Sequence, residues 1–233
     1  MKQIILCAAL LLASLCARGS GENMEPADTP IPTASTEPLD PGVISCGNLI
    51  YSGNRSSVCF ADKFLTDVAS ETTLRVAPHF RAVRLDSDQL FDVPFCVFSG
   101  EGAFSLSARE RTNLRKYLLN GGFIVSSPSC SDDDWDASLR RELSIALPEY
   151  PLQKIPMSHP LFSILNKIGT LECKNGNTTL LEGVTVNGRI VMVHSREGLN
   201  DVADAEGCCC CGGNEILSCT EVNVNLFTYA LLY

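Results

Sequence analysis

Apolar positions along residues 43–233 switch repeatedly between a period of two or an unbroken run and a period near 3.6, and each switch marks an element. "VISCGNLIY" at 43–51 predicts a strand. "SSVCFADKFLTDVASET" then sets Val58, Ala61, Phe64, Leu65 and Val68 on one helical face. "FRAVRL" ending at Leu85 is a short strand, and "DVPFCVFSG" at 92–100 is a nearly continuous apolar one. An unbroken apolar run of that length is how a strand buried on both faces reads.

"FSLSARERTNLRKYLLNGG" at 104–122 carries the clearest helix pattern. Ser107 and Glu110 form an S-x-x-E capping box; Leu114, Tyr117 and Leu118 make the apolar face, and Gly121 stops it. "FIVSS" is another buried strand, followed by a helix with Trp135, Leu139, Leu143 and Leu147 at every fourth position, ended by Pro148. In "LEGVTVNGRIVMVHS" two β-rich runs flank Asn187-Gly188, which predicts a hairpin because both residues tolerate positive φ. "TEVNVNLFTYALLY" closes the chain as a helix with Val222, Leu226 and Ala230 inward. Alternating strands and helices predict an α/β fold with a mainly parallel sheet, and the hairpin adds an antiparallel part.

The first residues carry a different pattern. Residues 4–15 are almost wholly apolar after the single early charge of Lys2, and small residues follow, so residues 1–19 read as a signal peptide cleaved near Gly19. That run is too short to span a bilayer, and the mature chain is expected to have no transmembrane segment. An acylated Cys16 is the alternative, disfavoured by the bulky Leu15 before it. Residues 20–42 hold five of the 12 prolines, five acids and no base, the composition of a disordered Pro-rich acidic linker. Residues 43–233 then form a single domain, with localisation in the periplasm or cell envelope. The domain carries 16 bases against 22 acids without any basic stripe, which argues against nucleic acid and anionic membrane surfaces as partners.

The segments "LDSDQLFDVPFCVFSGEGAFSLSARERTNLRKYLLNGGFIV", "WDASLRRELSIALPEYPLQKIPMSHPLF" and "LEGVTVNGRIVMVHS" resemble an uncharacterised bacterial family, a domain of unknown function grouped with the class I glutamine amidotransferase-like, flavodoxin-like folds. "YLLNGGF" and "HPLF" with their spacing are the specific parts. The resemblance covers essentially the whole mature domain and implies a three-layer sandwich without an assigned activity. Gly100-Glu101-Gly102 stands where relatives often carry Gly-His-Gly, and Ser126-Ser127-Pro128 where they tend to carry acids.

Candidate chemistry is sparse. Cys130 follows a buried strand and precedes a helix, the place of a nucleophile in amidotransferase-like folds, and a helix N-terminus lowers a thiol pKa. Pro128-Ser129-Cys130-Ser131-Asp132 lacks the small residues of a sharp elbow, and Asp132, Asp133 and Asp134 oppose a thiolate. His159 is the first choice of base and His194 the alternative; His79 beside Pro78 is weaker. The run of acids fits helix capping better than a cation site. Glu101 between two glycines is the single-residue ligand contact to expect, since glycines let a backbone approach closely.

Removing the signal leaves ten cysteines, an even count that suggests disulfides in an exported chain. Cys96 in its apolar strand and Cys59 on its helix fit free thiols packed as small hydrophobes. Cys208, Cys209, Cys210 and Cys211 run consecutively between glycines, with Cys219 beyond. Adjacent cysteines bond to each other only through a distorted peptide, so outward bridges are the first reading. Zinc held by Cys208, Cys211, Cys219 and Cys130 or Cys173 is a minority alternative without the second C-x-x-C that a strong signal needs. No cofactor is expected otherwise. The chain therefore reads as an exported, non-catalytic binding or structural module with an unidentified protein or small-molecule partner. The alternatives are a cysteine hydrolase or amidase at Cys130, and a metal- or redox-responsive module at residues 208–211.

Overall fold

The computed structural model describes residues 34–57, 60, 62–199 and 214–233. Seven strands form one sheet: β1 (Cys46–Ile50), β2 (Arg81–Arg84), β3 (Phe95–Phe98), β4 (Phe123–Ser126), β5 (Gln153–Lys154), β6 (Glu182–Val186) and β7 (Arg189–His194). Four helices accompany them: α1 (Lys63–Glu71), α2 (Ala108–Leu119), α3 (Asp133–Ala146) and α4 (Cys219–Leu232). The order across the sheet is β2-β1-β3-β4-β7-β6-β5. The first five of these pair in parallel; β6 and β5 add an antiparallel edge. This is the α/β architecture with a hairpin that the alternation predicts.

Burial follows from the strand pleat. Phe95, Val97, Phe123, Val125 and Val193 point to one face and join α1 and α4 in a core. Cys96, Phe98, Ile124 and Met192 point to the other and join α2 and α3. Both faces are covered, so the central strands carry no polar alternation. The turn between β6 and β7 has Asn187 at φ 50° and Gly188 at φ 82°, the type I′ geometry expected of Asn-Gly.

The capping box of α2 is formed: Ser107 Oγ accepts from the Glu110 N–H at 3.2 Å, and Glu110 Oε2 accepts from the Ser107 N–H at 2.6 Å. The other Glu110 oxygen accepts from the Ser52 N–H at 2.6 Å, so the box also fixes the chain leaving β1. α3 ends at Ala146, just before Pro148.

Two elements differ from expectation. α1 starts at Lys63, later than the apolar periodicity suggested. Residues 55–57 are used otherwise: Tyr51 and Arg55 exchange backbone hydrogen bonds, and Asn48 Nδ2 donates to the Ser57 carbonyl. Val58, Cys59 and Ala61 lie outside the described residues. α4 is buried all round from Val222 to Ala230 instead of along one stripe. Its polar residues are covered: Asn225 Oδ1 accepts from the Leu165 and Asn166 N–H groups, and Asn223 Nδ2 donates to the Leu199 carbonyl.

The signal segment lies outside the described residues. The last part of the acidic stretch, from Ser35, lies against β2, where the Ser35 N–H donates to the Ala82 carbonyl at 3.0 Å. Among the described residues no helix is long and apolar enough to cross a membrane.

Candidate functional site at the carboxyl edge of the sheet

The parallel strands end together at Ile50, Phe98, Ser126 and His194, and the chain reverses its direction of winding between β1 and β3. Open α/β sheets bind ligands outside their strand ends at such a reversal. The residues that follow these ends form the site.

Tyr51 follows β1 and is buried; its hydroxyl accepts from Trp135 Nε1 at 2.6 Å. Burial pushes the Tyr51 phenol up to about 12, although the Trp135 bond and the Arg55 charge pull the other way. Trp135 is placed by its cap: Asp132 Oδ1 accepts from the Trp135 N–H at 2.7 Å. Phe98 and Phe104 pack on the indole with ring centroids 5.4 and 5.5 Å away.

Gly100 closes the crevice above this pair. A β-carbon there would stand 1.9 Å from the Tyr51 oxygen and 2.7 Å from Trp135 Nε1. Gly100→Ala is expected to cost about 1–3 kcal/mol by overpacking, read as a lower urea midpoint with an unchanged slope. The same change at Gly53, where a β-carbon meets nothing within 4 Å, tests φ strain alone.

Beside the aromatic pair lies a chain of hydroxyls. Ser129 Oγ is 2.9 Å from Ser57 Oγ and 3.4 Å from Ser99 Oγ. Ser127 Oγ donates to the Glu197 carbonyl and accepts from the Leu199 N–H, while Ser131 Oγ donates to the Asn214 carbonyl and accepts from the Asn214 N–H. Leu199 and Asn214 are the described residues on either side of the stretch that holds the cysteine tetrad. Cys208, Cys209, Cys210 and Cys211 themselves lie outside the described residues.

Deeper still is a connected row that periodicity did not reveal. Ser126 Oγ lies 2.9 Å from His194 Nδ1, and His194 Nε2 lies 2.6 Å from Asp136 Oδ1. Arg140 Nε donates to Asp136 Oδ2 at 2.9 Å, and its Nη2 donates to Glu182 Oε2 at 2.6 Å. Burial acts to raise the Asp136 carboxyl, but hydrogen bonds from His194 and Arg140 outweigh it and hold the group well below the usual carboxylate range. The ionised Asp136 carboxylate accepts from His194 Nε2, and on the other side of the ring Ser126 Oγ, which also donates to the Val193 carbonyl at 3.3 Å, lies against Nδ1.

This row supplies a nucleophile, a base and an orienting acid in hydrogen-bond contact, a set that no local motif announces. Ser126 and His194 have no exposed surface, however. The row joins β4, β7, α3 and β6. His194 was visible in the sequence as an alternative base, whereas Ser126 and Asp136 carried no local signal. They stand far from His194 in the chain, and only the β4–β7 pairing and the α3 packing assemble them.

The other predicted residues are dispersed. Cys130 is exposed in a 3₁₀ turn (Ser129–Ser131) at φ 52°, followed by Ser131 at φ 54°. His159 is elsewhere: its ring packs on Tyr229, whose hydroxyl accepts from the Ile190 N–H at the start of β7. Four residues of strand, roughly 13 Å, separate that point from the carboxyl end. Cys130 and His159 are therefore not brought together, and His159 Nδ1 is occupied by the Leu161 N–H. His79 pairs with Asp62 at the surface. Glu101 is exposed, and its carbonyl faces Arg55 Nη1 at 3.4 Å. Asp132 caps α3 and Asp133 pairs with Arg196, as the capping reading of the acidic run expects.

Among the described residues, Cys46, Cys96, Cys130 and Cys173 are free thiols. Cys46 and Cys96 sit on opposite faces of the sheet in adjacent strands, which rules out a bridge between them. Burial pushes the Cys96 thiol up to about 12 and Cys46 higher still. Native protein treated with iodoacetamide is expected to modify Cys130 ahead of Cys46 and Cys96, which react only after unfolding; peptide mapping reads the order. Among the described residues no group of three or more His, Cys, Asp or Glu side chains could hold a metal ion.

A doubly wound α/β domain with a hydroxyl-rich carboxyl edge is thus the class that fold and site define. The chain belongs to the family described as Domain of unknown function (DUF4159), whose model matches residues 53–231. No curated protein matches it.

Proposed function

We propose that the domain is a non-catalytic binding module of the cell envelope, exported by its N-terminal signal and engaging its partner through the carboxyl edge around Glu101 and the Ser57–Ser129–Ser99 hydroxyls. The strand order 2-1-3-4 with helices on both faces supports grouping it with the glutamine amidotransferase-like, flavodoxin-like folds. The observation that carries the reading is the burial of Ser126 and His194, whose hydrogen bonds hold strands and helix together instead of facing a substrate. An acyl-transfer enzyme needs its nucleophile and base within reach of a reacting carbonyl. Ser126 is buried, and Cys130, though exposed, is not brought to His159.

A cysteine hydrolase is the second reading, favoured by the exposure and positive φ of Cys130 at the strand-to-helix turn. One experiment separates the two. Hydrolysis of p-nitrophenyl acetate and of glutamine is measured for the wild type and Cys130→Ala. Rates at the background of an unrelated protein, equal in both, support the binding module. A wild-type rate well above background that Cys130→Ala abolishes establishes the hydrolase.

A further inference from the structure

At the opposite end of the sheet, away from the carboxyl edge, a cleft of about 310 Å³ lies between residues 35–39 and the edge formed by β2 and the segment leading into β3. Its floor is apolar: Val83 and Val93 are buried there, and Leu39 closes one wall. Its polar lining carries both signs. Arg81 brings a guanidinium from the first position of β2, Asp92 a carboxylate from just before β3, and Glu37 a carboxylate from the overlying segment. The guanidinium's hydrogen bond is a long one, 3.4 Å from Nη2 to the Ser35 carbonyl. Among the described residues, Arg81, Glu37 and Asp92 form no ion pair with one another or with any other side chain. Elsewhere among the described residues, Arg84, Arg111, Arg115 and Arg140 each hold an acid.

The geometry points to a site for a small zwitterion of the α-amino acid class. Arg81 takes the carboxylate, since a guanidinium presents parallel donors to two oxygens. Glu37 and Asp92 take the ammonium, and a short aliphatic side chain rests on Val83 and Val93. One cation facing two anions across an apolar floor matches that charge order, and a simple anion or a simple cation satisfies only part of it. The cleft is open to solvent on one side, so its charge contacts are weak and the affinity is millimolar. Because Glu37 and Leu39 belong to the stretch that precedes the domain, occupancy adds to the Ser35–Ala82 hydrogen bond that already holds that stretch on β2.

The test titrates L-alanine into the full chain by calorimetry and thermal unfolding, with acetate and methylammonium as single-charge controls. The expected result is saturable binding of L-alanine in the millimolar range and a rise in Tm, with both controls several-fold weaker. Arg81→Gln and the double change Glu37→Gln, Asp92→Asn each abolish the shift; the double change alters exposed side chains only and keeps the test valid if Arg81→Gln fails to fold. No saturable shift, a shift that survives both variants, or acetate binding as tightly as L-alanine overturns the proposal; the last outcome marks a plain anion site. The carboxyl-edge reading stands or falls separately, because none of its residues lines this cleft.

Discussion

Trp135→Ala is expected to be the most destabilising single change in the domain, by about 3–5 kcal/mol. Trp135 is the largest fully buried side chain and sits where α3 meets the ends of β1 and β3. Its removal opens a cavity among Phe98, Phe104 and Tyr51, and that cavity resists collapse because β3 holds Phe98, the backbone bonds to Arg55 hold Tyr51, and Ser138 Oγ holds the Phe104 N–H. The Tyr51 hydroxyl also loses its donor, although an oxygen left in a cavity can recruit water. Total stability of about 5–15 kcal/mol leaves little margin for such a loss. Trp135→Phe keeps much of the volume and isolates the hydrogen bond, with an expected cost of about 1–2 kcal/mol. Urea unfolding at neutral pH reads both, and a loss below 1 kcal/mol for the alanine variant would contradict the packing described.

Asp136→Ala comes second, at about 3 kcal/mol, because it leaves the buried His194 Nε2–H without an acceptor and strips Arg140 of one of its two acids. Asp136→Asn restores an acceptor of the same shape and is expected to recover part of that loss. The two differ further in acid. The Asp136 carboxyl is held below its ordinary range in the folded state, so it binds its proton less readily there than in the unfolded chain. Its contribution is therefore complete above the unfolded value of about 3.9 and is lost as pH falls below that toward the depressed folded value. Wild-type stability should fall through this acid window more steeply than that of Asp136→Asn. Parallel pH profiles for the two proteins would show that Asp136 is not held ionised by His194 and Arg140.

Local rules made most of the fold legible. The capping box at Ser107 and Glu110, the Asn187-Gly188 turn and the stop at Pro148 each act through neighbours within a few residues, and all three operate as read. α1 and α4 were less legible for a tertiary reason. Residues 55–57 satisfy the end of β1 before α1 can begin, and Asn225 is buried by residues 165–166, so neither a late helix start nor an all-round buried helix shows in periodicity.

The site was legible only as a location. The carboxyl edge follows from strand–helix alternation, but which side chains meet there depends on strand order. Ser126 and His194 become partners because β4 pairs with β7 across 68 positions of sequence. Cys130 and His159, the nucleophile and first-choice base that the sequence offers, lie at opposite ends of the sheet. Spacing in sequence carries no information about that choice until the order of strands is known.

The central claim is that the Ser126–His194–Asp136 row holds the fold and performs no acyl transfer. Intact-mass analysis of native protein after exposure to a fluorophosphonate, with peptide mapping of any adduct, tests it directly. The account predicts no phosphonate on Ser126 under conditions where iodoacetamide labels Cys130 fully. A stoichiometric adduct on Ser126 that His194→Gln abolishes would contradict it and make this row a working serine nucleophile.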